Sequence, residues 1–165
     1  IRPLKNHLLQ AICAVEFAES LDRKCRFHIN SGRIEMKGEP ILNNLKGMFL
    51  HAYDRGHELI CHDWLDRPDF LEVCRDIDIG LQVSFSETFN IVAADYISQG
   101  VPIVGCSEIP WASRFCWADP TESNQIADVL ERTYNWPKIN VALNQQNLTK
   151  YTNKTQKVWE KKFKG

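Results

Sequence analysis

Three residues of this chain could do chemistry together: Glu87, Asp95 and Lys5. Glu87 ends a polar turn at residues 84–87 and stands just before Thr88, Phe89 and Asn90. The spacing of Phe89, Val92, Ala93, Tyr96 and Ile97 predicts a helix starting there, closed by Gln99-Gly100. The first amides of such a helix, those of Thr88, Phe89 and Asn90, have no partner within it. They carry the positive end of its dipole, which suits a phosphate or an electron-rich oxygen. Bound phosphate repels a carboxylate, so Glu87 is better matched to hydroxyl groups. Two acids flanking an anion site describe a ligand with both phosphates and many hydroxyls, a nucleotide sugar. Lys5 lies near the start of another expected helix, where a cation is disfavoured unless an anion binds beside it.

The elements around these residues are those of an α/β domain. Residues 77–83 and 101–104 are short apolar runs, the pattern of strands buried on both faces. With the helix between them they form a β-α-β unit, which makes a parallel sheet. Strand ends that feed helix N-termini in such a sheet are where ligands bind. Upstream, Leu8, Leu9, Ala11, Ile12, Val15, Phe17, Ala18 and Leu21 give one face of a long helix. Residues 25–29 and 58–61 read as strands, with a helix from Pro40 to Gly56 between them. His62 and Trp64 follow the second of these strands, and 67–75 is a short helix. Residues 116–120 suggest a last short strand and turn. Thr121 is placed to cap a helix over 122–134. About five strands alternating with helices predict a Rossmann-like open parallel sheet flanked by helices.

Composition sets outer bounds. The apolar fraction of 44% and charged fraction of 25% suit one globular domain, and the net charge of −1 favours no highly charged partner. Nucleic acid is not expected, because basic residues do not interleave with aromatics along a strand. Six cysteines without a Cys-x-x-Cys pair read as reduced, buried thiols, which points to a cytoplasmic setting. No metal is expected. Asp76 and Asp78 precede their strand instead of following it. Cys61 and His62 alternate across a strand, so they cannot easily join His57 on one ion. No phosphate-cradling Gly-x-Gly-x-x-Gly, P-loop or Gly-x-Ser-x-Gly elbow is present, and no cofactor is implied. The chain reads as a single unit over 1–165, with an α/β core at 1–137 and a basic helical tail at 138–165. That tail carries Lys150, Lys154, Lys157, Lys161, Lys162 and Lys164, with Trp159 and Phe163 on one helical face.

The run Ser-x-Ser-Glu-Thr-Phe-Asn-Ile-Val-x-Ala-Asp-Tyr-x-x-x-Gly-Val-Pro-Ile-Val at residues 84–104 resembles the donor-site signature of the family 4 retaining glycosyltransferases, which have the GT-B fold. The family's pair of acids, eight residues apart, falls on Glu87 and Asp95. Asp95 is one methylene shorter than the usual Glu, and Thr88 and Asn90 replace the usual glycines. The resemblance implies that this chain is one half of a GT-B fold, the half that binds a nucleotide-diphosphate sugar. It implies catalytic roles for Glu87, Lys5 and Arg2, the two cations holding the diphosphate at closer spacing than usual. It implies donor contacts from Thr88, Phe89, Asn90, Ile91 and Asp95, and a base slot near His62 and Trp64. It further implies transfer with retention and without a metal. An acceptor-binding domain on the N-terminal side is expected to lie outside this chain, so the chain alone should bind donor and transfer little. Trp159 and Phe163 could pack on that domain, lie on a membrane surface or anchor a solvated helix. A non-catalytic nucleotide-sugar-binding or assembly module is the rival reading.

Overall fold

The computed structural model describes residues 1–163. Lys164, the last of the tail lysines, lies outside them. Strands and helices alternate: α1 (His7–Ser20), β1 (Arg26–Asn30), α2 (Glu39–Ala52), β2 (Glu58–His62), α3 (Arg67–Arg75), β3 (Gly80–Gln82), α4 (Ile91–Ser98) and β4 (Ile103–Gly105), then α5 (Ser123–Asn135) and α6 (Pro137–Phe163). Helical crossovers force neighbouring strands to run parallel. β1 pairs with β2 from Arg26↔Glu58 to Asn30↔His62, and β3 pairs with β4 from Gly80↔Ile103 to Gln82↔Gly105. The result is the α/β class expected, short parallel sheets flanked by helices.

Two details differ from the expectation. First, the described residues hold four strands in two separate ladders, plus one bridge between Gly105 and Trp117. Second, β3 is three residues long instead of seven. Its expected start is consumed by the end of α3, because Asp76 N donates to Val73 O and Ile77 N to Cys74 O. Its expected end is consumed by a side chain, because Val83 N donates to Gln10 Oε1 at 2.8 Å. Gly80 admits no larger residue without a shift: a Cβ there would lie 2.4 Å from the Tyr96 ring, so β3 and α4 approach closely.

Each ladder has its own core. One gathers Val83, Ala93, Ile97, Ile103, Val104 and Trp111 around β3 and β4. The other gathers Ile29, Leu42, Leu45 and Phe49 around β1 and α2. α1 joins them, giving Cys13 to the first and Ala11 and Val15 to the second.

α5 begins at Ser123 with Glu122 as its cap residue and no side-chain cap. Thr121 therefore does not cap it. Its hydroxyl donates to Asp119 Oδ1 at 2.6 Å instead. α6, expected as a tail, is docked over its first half. Asn140 and Asn144 are fully buried. Asn140 Oδ1 accepts from Ile103 N at 3.0 Å and its Nδ2 donates to Ile103 O at 2.8 Å, so one side chain closes the outer edge of β4 as a neighbouring strand would. Beyond Thr155 the helix is exposed, including Trp159 and Phe163, whose rings stack 5.1 Å apart.

Candidate functional site

Lys5 and Glu87 meet. Lys5 Nζ lies 2.6 Å from Glu87 Oε1 across 82 residues of sequence. The Glu87 side chain is 3% exposed and that of Lys5 28%. Two loops converge to build this contact. Residues Pro3–Lys5 form a single 3-10 turn after Arg2, and Leu4 O accepts from Phe85 N at 2.9 Å. Gln10 braces the turn from α1, since its Nε2 donates to Lys5 O at 2.7 Å while its Oε1 holds Val83 N. One buried side chain thus ties the Lys5 turn to the strand that leads to Glu87.

The helix after Glu87 starts later than the sequence suggests. Asn90 is its cap residue, with φ of 54°, and α4 begins at Ile91. Asn90 Oδ1 accepts from Ala93 N at 2.9 Å, and its Nδ2 donates to Gln82 Oε1 at 3.0 Å. Asn tolerates the left-handed conformation and serves well as a cap, so this position takes it where glycine would otherwise be expected. The amides of Thr88, Phe89 and Asn90 lie in the loop ahead of the helix, not in its first turn. Among the described residues none of the three donates a hydrogen bond. Trp111 supports this loop from behind, donating its indole N–H to Phe89 O at 2.6 Å.

The remaining residues lie around one cleft of about 1460 Å³, whose wall includes Arg2, Lys5, Trp64, Glu87, Thr88, Phe89, Asn90, Ile91 and Asp95. Arg2 reaches this wall but is paired with Glu35, which it shares with Arg33. Those guanidinium groups hold the Glu35 carboxyl below its ordinary range, Arg2 first. Asp95 is buried, 7% exposed in its side chain, and accepts from Arg67 Nη2 at 2.7 Å. Trp64 is 67% exposed, with the Arg33 guanidinium 5.7 Å above its ring. His62 is not part of the cleft wall. It touches the wall through His28, whose Nδ1 lies 3.0 Å from His62 Nε2. His7 also lines the cleft. Burial, then the charges of the terminal ammonium and Lys5, push its pKa down to about 4. Among the described residues no cluster of three or more His, Cys, Asp or Glu side chains could hold a metal ion.

Sequence reasoning missed Gln10, Arg67 and the capping role of Asn90. Asn90 carried a usable signal, an Asn directly ahead of the apolar run at 91–93. Gln10 carried a weaker one, a polar residue inside an apolar helix face, which must find a partner when buried. Nothing local marked Arg67.

No protein-family model and no curated protein matches the sequence. Solved structures do match the fold. A UDP-forming α,α-trehalose-phosphate synthase from Burkholderia xenovorans superposes with a TM-score of 0.73 at 14% identity, covering 97% of this chain and 40% of that one. The enzyme from Burkholderia vietnamiensis gives a TM-score of 0.71 at 14% identity, over 97% of this chain and 41% of its own. A trehalose-6-phosphate enzyme structure from E. coli, bound with UDP-2-fluoro glucose, gives 0.67 at 14% identity, over 93% and 39%. This chain spans about two fifths of the length of those enzymes. The likeness shows that the chain folds as one Rossmann-like half of a GT-B glycosyltransferase.

Proposed function

We propose that this chain is the donor-binding half of a retaining glycosyltransferase and takes a nucleotide-diphosphate sugar at the mouth of the cleft. The observation that carries this reading is the Lys5–Glu87 contact beside three unpaired loop amides. A cation, a carboxylate and free N–H donors at the carboxyl ends of parallel strands form a surface for a ligand with phosphates at one end and hydroxyls at the other. Enzymes with the same fold are named as UDP-forming, and one was solved with a UDP-sugar analogue.

Each residue then has a task. Lys5, with Arg2 once released from Glu35, neutralises the diphosphate. As the bond from the anomeric carbon to phosphate oxygen breaks, its electrons move onto that oxygen, and a fixed cation lowers the energy of the charge that builds there. The acceptor hydroxyl oxygen forms the new bond to the anomeric carbon and its proton passes to the departing phosphate, so no separate base is needed, while the cations stand where a metal would otherwise be required. Glu87 accepts from sugar hydroxyls and fixes the ring. The amides of Thr88, Phe89 and Asn90 donate to phosphate or sugar oxygens, and Ile91, exposed at the mouth, covers one side of the ligand. Trp64 offers a ring face to the base, with His62 behind it through His28. The acceptor would be held by a separate domain of a longer protein, the partner that completes the enzyme.

Calorimetry with a panel of nucleotide-diphosphate sugars tests the reading. The unmodified chain should bind at least one, and Glu87→Ala and Lys5→Ala should each weaken that binding at least about tenfold, the loss of one charge-assisted contact. No binding to any nucleotide sinks it. One observation favours a second reading, a non-catalytic binding module: Asp95 already gives one carboxylate oxygen to Arg67, which leaves it only the other for a ribose. Release of nucleoside diphosphate by the longer protein, with acceptor present, separates enzyme from module.

A further inference from the structure

One carboxylate at the rim of the cleft holds two arginines that a ligand would need in different places. Glu35 gives one oxygen to Arg2 Nε and the other to Arg33 Nη2. Arg2 stands on the cleft wall with Lys5, on the phosphate side of the mouth. Arg33 lies over the Trp64 ring, on the base side. Gly32 allows that placement, since a Cβ on it would lie 2.6 Å from Trp64 N and lift the loop away.

Backbone bonds tie the loop down without help from this ion triad. Ser31 N and Gly32 N donate to His62 O, Glu35 N to Ile1 O, and Gly38 N to Glu35 O. The Arg2 and Arg33 side chains are 44% and 57% exposed, and ion pairs in so much water contribute about 1 kcal/mol or less. The two carboxylates of the mouth therefore differ. Glu87 is almost wholly buried and has no solvent to turn into. Glu35 keeps 26% of its side chain exposed and can swing outward. An arriving diphosphate repels a neighbouring carboxylate and matches the guanidinium forks better, with more charge and more oxygens.

We propose that Glu35 is a positioning residue that latches the empty mouth. It holds Arg2 and Arg33 in place of a diphosphate and releases both as a nucleotide enters. A base that stacks on Trp64 displaces Arg33 from the ring, and a diphosphate draws Arg2 from the same carboxylate. The two ends of the ligand thus open one latch, which favours a ligand carrying both over a nucleoside or a phosphate alone. The inference rests on the reading of the mouth as a nucleotide-diphosphate site.

Calorimetry at low salt with the diphosphates of uridine, guanosine, adenosine and cytidine tests it. Glu35→Gln keeps the shape of the side chain and removes its charge. This variant should bind the favoured diphosphate roughly tenfold more tightly than the unmodified chain, the scale of one charged hydrogen bond, with little change in Tm. Glu39→Gln removes an exposed acid outside the triad and should change affinity less than about twofold. The gain from Glu35→Gln should fall to about threefold when Arg2→Ala or Arg33→Ala is added, and vanish when both are, because nothing is then left to release. No gain, an equal gain from Glu39→Gln, or a gain undiminished in either arginine background overturns the latch and leaves the mouth a nucleotide site. Failure of every diphosphate to bind either the unmodified chain or Glu35→Gln sinks the reading of the mouth, and the latch with it.

Discussion

The outer edge of β4 and the facing edges of β1 and β3 solve the same problem in opposite ways. At β4, Asn140 satisfies both backbone groups of Ile103, and Ala118 N donates to Gly105 O beyond it. At the inner gap, one side-chain bond, from Val83 N just past β3 to Gln10, is the closing contact found among the described residues. Exposed edges invite pairing, and natural sheets cover them with side chains, bulges or charge. A molecule that seals its outer edge with a fully buried amide can seal edges. The inner pair is left to line the cleft instead.

The largest effect should come from unsealing the outer edge. Asn140→Ala strands the N–H and C=O of Ile103 and the Thr133 hydroxyl inside the core. A buried polar group left alone costs about 1–3 kcal/mol, so a loss of about 3 kcal/mol, or roughly 10 °C in Tm, is expected from thermal unfolding. A loss below about 1 kcal/mol would show that this edge is not held by Asn140 and would dissolve the contrast.

An acid titration probes the inner gap. His7 lines the cleft and its folded pKa of about 4 lies below the ordinary 6.5 of a solvated imidazole. The fold favours the neutral ring, so this contribution is complete above about pH 6.5 and is lost as pH falls toward 4. Against a His7→Gln variant, urea unfolding at pH 7 and near pH 4.5 should show the unmodified chain losing on the order of 2 kcal/mol more. Equal losses in the two proteins would mean that the imidazole is solvated and the gap wet around it.

Much of this could be read in advance, and the failures share a cause. The meeting of Lys5 with Glu87 was legible because each residue stands in a loop ahead of a helix, and a parallel α/β sheet gathers such loops at one end. The helices were legible because their apolar faces repeat every three to four residues. β3 was overestimated because a strand's length is set by its partner, and its partner offers three residues. Gln10 and Asn140 escaped because their acceptor and donor groups lie 73 and 37 residues away in sequence. A polar side chain on a helix looks the same in sequence whether it faces water or replaces a strand.

The smallest effect concerns β2, where Glu58 and Cys61 are exposed. Cys61 on this strand is exposed, whereas Cys106, just past β4, is buried with its thiol pushed up by desolvation. A thiol reagent at neutral pH should modify Cys61 first and reach Cys106 only on unfolding, since burial and a raised pKa both slow attack. Cys61→Ser should change stability by no more than about 0.5 kcal/mol, the usual range for surface positions. Rapid labelling of Cys106 in the folded chain would show that the β4 side is not closed.

α6 has a mechanical consequence. Its two buried asparagines fix the rotation and register of the whole helix at one end, because sliding by a single turn would break the hydrogen bonds they make to Ile103 and Ser113. Its last apolar anchor packed on the core is Tyr151, and Phe163 lies twelve residues further on, about 18 Å at the helical rise. Trp159 and Phe163 are thus carried at the tip of a stiff boom whose bearing is set inside the core, so whatever they touch is met at a fixed distance and angle.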